Sequence, residues 1–129
     1  MNNDTIQQFL SAYGDALSRG DAPAIARCWA APGLVLADEG AIAVSDARQI
    51  EQFFAQATEW YHARGIMSTQ PELERVDQLS AQITAVDVQW AAFDAHGHED
   101  SRARERSHYL LQQDTDGQLR IRVALTRPG

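Results

Sequence analysis

No lysine occurs in the 129 residues, so all eleven basic side chains are arginine. That removes a Schiff-base nucleophile, a lysine-anchored pyridoxal cofactor and the lysine-bearing phosphate loop. A single cysteine, Cys28, excludes an internal disulfide and fits the reducing cytoplasm, which is the expected location. There is no apolar run of spanning length, and Met1-Asn2-Asn3-Asp4 lacks a basic stretch leading into an apolar one. Neither a membrane helix nor a signal peptide is therefore expected. Positive charge is also scarce: the net charge is −7, which argues against nucleic acid or an anionic membrane surface as partner. No Gly-x-Ser-x-Gly elbow and no Gly-x-Gly-x-x-Gly turn appears, so neither serine-nucleophile chemistry nor a nucleotide cofactor is indicated. No cofactor of any kind is expected.

What is present suits one globular domain over residues 1–129. Hydrophobic residues make up 44% of the chain, enough for a core without staples. From Thr5 to Ser18, Ile6, Phe9, Leu10, Tyr13 and Leu17 recur at helical spacing, with Asp4 as cap and Gly20 as the left-handed stop. Asp21 caps a second short helix with Pro23 in its first turn, which would bury Ile25, Cys28 and Trp29 before Pro32-Gly33 ends it. A strand from Leu34 to Ala37, a turn at Asp38-Glu39-Gly40 and a strand from Ala41 to Val44 follow. Ser45 would cap a third helix to about Arg64, closed by Gly65. Its apolar face is Ile50, Phe53, Phe54, Ala57 and either Trp60 or Tyr61.

The remainder reads as strands: 66–79, interrupted at Pro71, then 82–94, 99–113 and 118–127. The turn Asp114-Thr115-Asp116-Gly117 sets Gln118 opposite Asp114. In that register Ser107, Tyr109 and Leu111 share an inner face with Ile121, Val123 and Leu125, while Arg106 and His108 point outward. Three helices followed by an antiparallel meander make an α+β layout.

The run from Ala12 to Asp21, then Ile25, Trp29, the short strand and the helix Ala47 to Phe54, resembles the nuclear transport factor 2-like superfamily. Within it the layout is similar to the ketosteroid isomerase and SnoaL-like polyketide cyclase branches. The resemblance is best over residues 4–65. It implies a cystatin-like fold: a cone-shaped curved antiparallel sheet packed against three N-terminal helices around an apolar pocket. It also implies a homodimer through the outer sheet face. The isomerase uses an aspartate base, a donor tyrosine and a protonated aspartic acid. Tyr13 falls at the donor tyrosine's place and Ala37 at the base's place, with Asp38 next to it. Phe54 replaces the tyrosine that supports the donor, and Ser107 stands near the second donor. With one of these positions kept, ketosteroid isomerase activity itself is not expected.

Two kinds of reading are therefore carried forward. In the first, the chain is a pocket protein for a small apolar or aromatic molecule. If it is an enzyme, it works by proton transfer as an isomerase, cyclase or dehydratase, with Asp38 as base and Tyr13 as donor. Trp29, Phe54, Trp60, Ser107, Tyr109 and Val123 would line the pocket. In the second, it is a non-catalytic ligand-binding or dimerisation module. Asp38-Glu39-Gly40 also reads as an ordinary solvent-facing turn. Glu105 lies on the inferred inner face, where it is either a buried acid or a solvated partner of Arg127. His96-Gly97-His98 reads as turn residues rather than metal ligands, and no metal is expected. Arg102, Arg104 and Arg106, alternating, would place three positive charges on one sheet face.

Overall fold

The computed structural model describes residues 2–128. The order of elements is α1 (Asn3–Arg19), α2 (Ala22–Arg27), β1 (Trp29–Ala37), β2 (Gly40–Val44), α3 (Ala47–Ala63), β3 (Ser68–Gln78), β4 (Ile83–Phe93), β5 (Glu105–Gln113) and β6 (Leu119–Pro128), with a 3-10 turn over Ser101–Ala103. Three helices and a curved, open six-stranded sheet make this α+β fold among the described residues. None of the helices is long and apolar enough to cross a membrane.

Helix starts follow short polar caps. Asn2, rather than Asp4, accepts the Thr5 amide at 2.8 Å and sets the first turn of α1. Gly20, at φ 64°, closes it in the left-handed region, as the sequence requires. Asp21 caps α2 through the Ala24 amide. Asp46, one residue past the expected Ser45, caps α3 through the Gln49 amide. Ile6, Leu10 and Tyr13 form the buried stripe of α1.

The sheet runs β2-β1-β6-β5-β4-β3. Each hairpin neighbour is antiparallel, but β1 meets β6 in parallel, so the sheet is mixed rather than wholly antiparallel. Trp29 does not end α2. It opens β1 opposite Ile121, because the Ile121 amide reaches back to the Cys28 carbonyl at 2.8 Å and draws the chain into the sheet. Pro32-Gly33 lies inside β1, where the β6 pairing is interrupted between Trp29 and Leu34. Gly33 is obligatory at that point. A Cβ there would meet the Ala30 carbonyl oxygen at 2.8 Å and the Trp29 ring at 3.0 Å. Pro71 sits on β3, an edge strand, as its missing N–H demands.

One bulge decides which side chains face inward. Leu111 pairs with Ile121 but Leu110 pairs with Val123, so Arg122 is the extra residue on β6. Beyond it the alternation is inverted. Tyr109 faces Ala124 and Ser107 faces Thr126, while Val123 and Leu125 fall on the outer side. The strand expected over 99–113 is also broken: Ser101–Ala103 turns away and β5 begins at Glu105. Arg102, Arg104 and Arg106 therefore do not form one charged row. Arg104 pairs with Glu72 and Glu99, Arg106 with Glu74, and Arg102 with Asp100.

Candidate functional site

Between the helices and the inner sheet face lies a cavity of about 290 Å³. Its walls come from α1 (Tyr13, Leu17), from α3 (Phe53, Phe54, Ala57, Tyr61), from β1 (Trp29, Val35) and from the inward positions of β4, β5 and β6. The apolar stripe of α3 borders the cavity, with Phe54 packed against Trp29 and the core. Ile50 is accordingly its buried residue, while Phe53, Phe54 and Tyr61 remain half-buried.

Two indole–phenol pairs occupy the deep end. The Trp29 Nε1–H donates to the Tyr13 hydroxyl oxygen at 3.1 Å, and the Trp90 Nε1–H donates to the Tyr109 hydroxyl oxygen at 3.0 Å. Both phenols are buried and both line the cavity. Their rings meet edge to face, with centroids 6.2 Å apart, and Phe54 closes on Tyr13 in the same manner at 6.4 Å. Each phenol oxygen thus accepts from an indole and keeps its own proton to donate. Burial pushes the Tyr13 phenol well above its ordinary range and Tyr109 up to about 12. Both therefore remain protonated donors at neutral pH. Beside them, the hydroxyls of Ser107 and Thr126 bond each other at 2.8 Å.

The more exposed end carries an acid. Glu105 lines the cavity and accepts a hydrogen bond from the Tyr61 hydroxyl. Burial raises its carboxyl above the usual range, and the Tyr61 hydrogen bond and the Arg64 charge pull against that rise. The same burial, with Glu105 alongside, drives the Tyr61 phenol strongly upward.

Of the residues singled out in the sequence, Tyr13, Trp29, Phe54, Ser107 and Tyr109 lie together around the cavity. Three others are placed elsewhere. Asp38 lies in the exposed β1–β2 turn and is not among the lining residues. Trp60 is 51% exposed and stacks under Arg64, whose guanidinium carbon stands 3.8 Å from its ring centroid; Tyr61 takes the inward position instead. Val123 is turned outward by the bulge at Arg122, and Ala124 lines the cavity in its stead. Strand alternation puts Glu105 on the inner face, but its supposed partner Arg127 lies outside, bonded to His108. Tyr61, 44 residues away in sequence, leaves no local signal of its meeting with Glu105.

Elsewhere the polar clusters are turn chemistry. Asp94 accepts the amides of His96 and His98, which hold its carboxyl below the usual range. Among the described residues no group of three or more His, Cys, Asp or Glu converges. Cys28 has its thiol pushed up by burial, which suits an inert packing residue.

The comparisons with known proteins agree with this architecture. A domain of unknown function with a cystatin-like fold from Nostoc punctiforme superposes with a TM-score of 0.77 at 17% identity, over 98% of this chain and 76% of that one. A ketosteroid isomerase-like protein from Erwinia carotovora atroseptica gives 0.71 at 18% identity, over 98% and 96%. Aln2 from a Streptomyces species gives 0.73 at 13% identity, over 97% and 88%. At such identities these likenesses speak for the fold alone. No match was found among curated proteins. The model of the family described as NTF2-like protein (DUF6841) matches residues 3–129, and the chain belongs to that family.

Proposed function

We propose that this chain is a small-molecule pocket protein that holds a flat, largely apolar ligand by an oxygen atom, with Tyr13 and Tyr109 as the donors. One observation carries the reading: each phenol oxygen is already supplied by an indole, and Tyr109 also meets the Ser107 hydroxyl, so that two buried phenols line the same cavity with protons of their own to donate. A buried donor gains from an acceptor, and a ligand carbonyl, phenol or enolate oxygen supplies one. Donation from an indole into each phenol also strengthens the phenol as a donor. The aromatic walls select flat ligands through edge and face contacts.

The test is a thermal-shift and tryptophan-fluorescence titration with 4-hydroxyacetophenone and related oxygenated aromatics. At about one hundred times its dissociation constant a ligand adds about 2.7 kcal/mol, several degrees in a domain of this size. Tyr13→Phe and Tyr109→Phe should each lower affinity about tenfold. Absence of any shift across the series would overturn the proposal.

A second reading, proton transfer without a cofactor, is favoured by one further observation. Among the described residues Glu105 is the only carboxyl group that lines the cavity, and burial raises it above the usual carboxyl range. In it Glu105 takes the role expected of Asp38, and the two phenols stabilise the charge that develops on the ligand oxygen. Exchange of an α-proton of a bound aryl ketone into deuterated water, lost in Glu105→Gln, is its signature.

A further inference from the structure

Glu105 stands apart from the other lining groups because, among the described residues, it is the single carboxylate in a largely aromatic cavity and no arginine lines it. Among the described residues no cation forms an ion pair with Glu105. The one basic group whose charge reaches it, Arg64, is engaged over the exposed face of Trp60. Tyr61 supplies one hydrogen bond, to Oε1, while Oε2 receives none from any described residue. Glu105 is partly buried, and a carboxylate that has lost part of its water favours a counter-charge beside it. Tyr61 and His62 line the cavity from α3, Arg64 follows at the end of that helix and Tyr109 lies farther along β5, and among the described residues none of them forms an ion pair with Glu105. A metal ion is a poor occupant, because a lone carboxylate offers too few ligands and no second acidic, histidine or cysteine group converges there.

Resting on the first reading of the pocket, we infer that its ligand also carries a protonated amine, anchored by Glu105 at the end opposite the oxygen. The surroundings suit a cation beyond the single charge. Tyr61, whose hydroxyl bonds Glu105, brings an aromatic ring from α3 beside the carboxylate, so an ammonium held there meets a ring as well as the charge. The net charge of −7 favours the approach of cations from a distance. The span agrees as well. Glu105 and Tyr109 share a strand face four residues apart, about 14 Å of backbone at ~3.4 Å per residue. An arylalkylamine with an oxygen at the far side of its ring presents its two polar ends in that arrangement.

The experiment compares two size-matched probes, 2-(4-hydroxyphenyl)ethylamine and 2-(4-hydroxyphenyl)ethanol, which differ only in ammonium against hydroxyl. Affinities are read near neutral pH by calorimetry and tryptophan quenching, in the wild type and in Glu105→Gln. The amine should bind the wild type about tenfold or more tightly than the alcohol, the margin of a desolvated charged hydrogen bond. Glu105→Gln should abolish that preference. Equal affinities in the wild type, or a preference that survives Glu105→Gln, would overturn the amine anchor while leaving the oxygen-binding pocket in place. Binding of neither probe would bring down the pocket reading and the anchor together. Should Glu105→Gln not fold, the wild-type comparison at falling pH decides. The amine's advantage should vanish as the carboxylate takes up its proton, and persistence would count against the anchor.

Discussion

The hydroxyl oxygen of Tyr13 accepts the indole N–H of Trp29 at 3.1 Å, joining the middle of α1 to the first residue of β1 inside the cavity wall. The bond leaves the tyrosine's own proton unspent, and it ties a pocket group to the point where helix gives way to sheet.

Removing that hydroxyl strands the indole. Tyr13→Phe should lower stability by about 1–3 kcal/mol, the cost of a buried donor left without an acceptor. Tyr109→Phe should do the same through Trp90. Urea unfolding gives the values. A loss well under 0.5 kcal/mol in both variants would mean that cavity water already satisfies the indoles.

Asp38 offers the opposite outcome. Its place in an exposed turn predicts that Asp38→Asn changes stability by no more than about 0.5 kcal/mol and leaves ligand affinity untouched. A clear fall in affinity or turnover would return Asp38 to the site and require the turn to fold inward.

Glu105 imposes a pH dependence whose sign follows from its raised carboxyl. The folded state binds that proton more tightly than the unfolded state does, so stability falls as pH rises from the ordinary glutamate range through the folded-state value. Glu105→Gln keeps an acceptor for Tyr61 and loses the charge. It should melt above the wild type at neutral pH, with the difference shrinking as the pH falls below the ordinary glutamate range of about 4. A variant that melts lower at neutral pH would show that the carboxylate is stabilised rather than strained by its surroundings.

Gly33 tests the wall from the backbone side. A methyl group there collides with the Ala30 carbonyl and the Trp29 ring. Gly33→Ala should therefore cost about 1–3 kcal/mol and shift the Trp29 emission, because the ring must move. An unchanged spectrum with full stability would show that β1 yields without disturbing the indole.

The arginines show why some expectations failed. Alternation alone put Arg102, Arg104 and Arg106 in one row, but the chain leaves the sheet at Ser101–Ala103, and each guanidinium finds its own acid. Two of those acids, Glu72 and Glu74, come from β3, which lies beyond β4 in the sheet, and Glu72 stands 32 residues upstream of Arg104. Similarly, one extra residue at Arg122 exchanged Val123 for Ala124 at the cavity wall. A single insertion inverts every later side chain on a strand.

The sequence by itself determined the three helices and their buried stripes, the β-rich second half, the inward course of Tyr13, Phe54, Ser107 and Tyr109, and the family likeness. Periodicity, caps and turn residues act over a few positions, so they are written locally. The tertiary structure alone decided that β1 lies parallel to β6, that the bulge falls at Arg122, that Tyr61 rather than Trp60 turns inward and that Glu105 is the acid in the cavity. Those choices depend on which distant strands pair and which surfaces pack together, and no window of neighbouring residues holds that information.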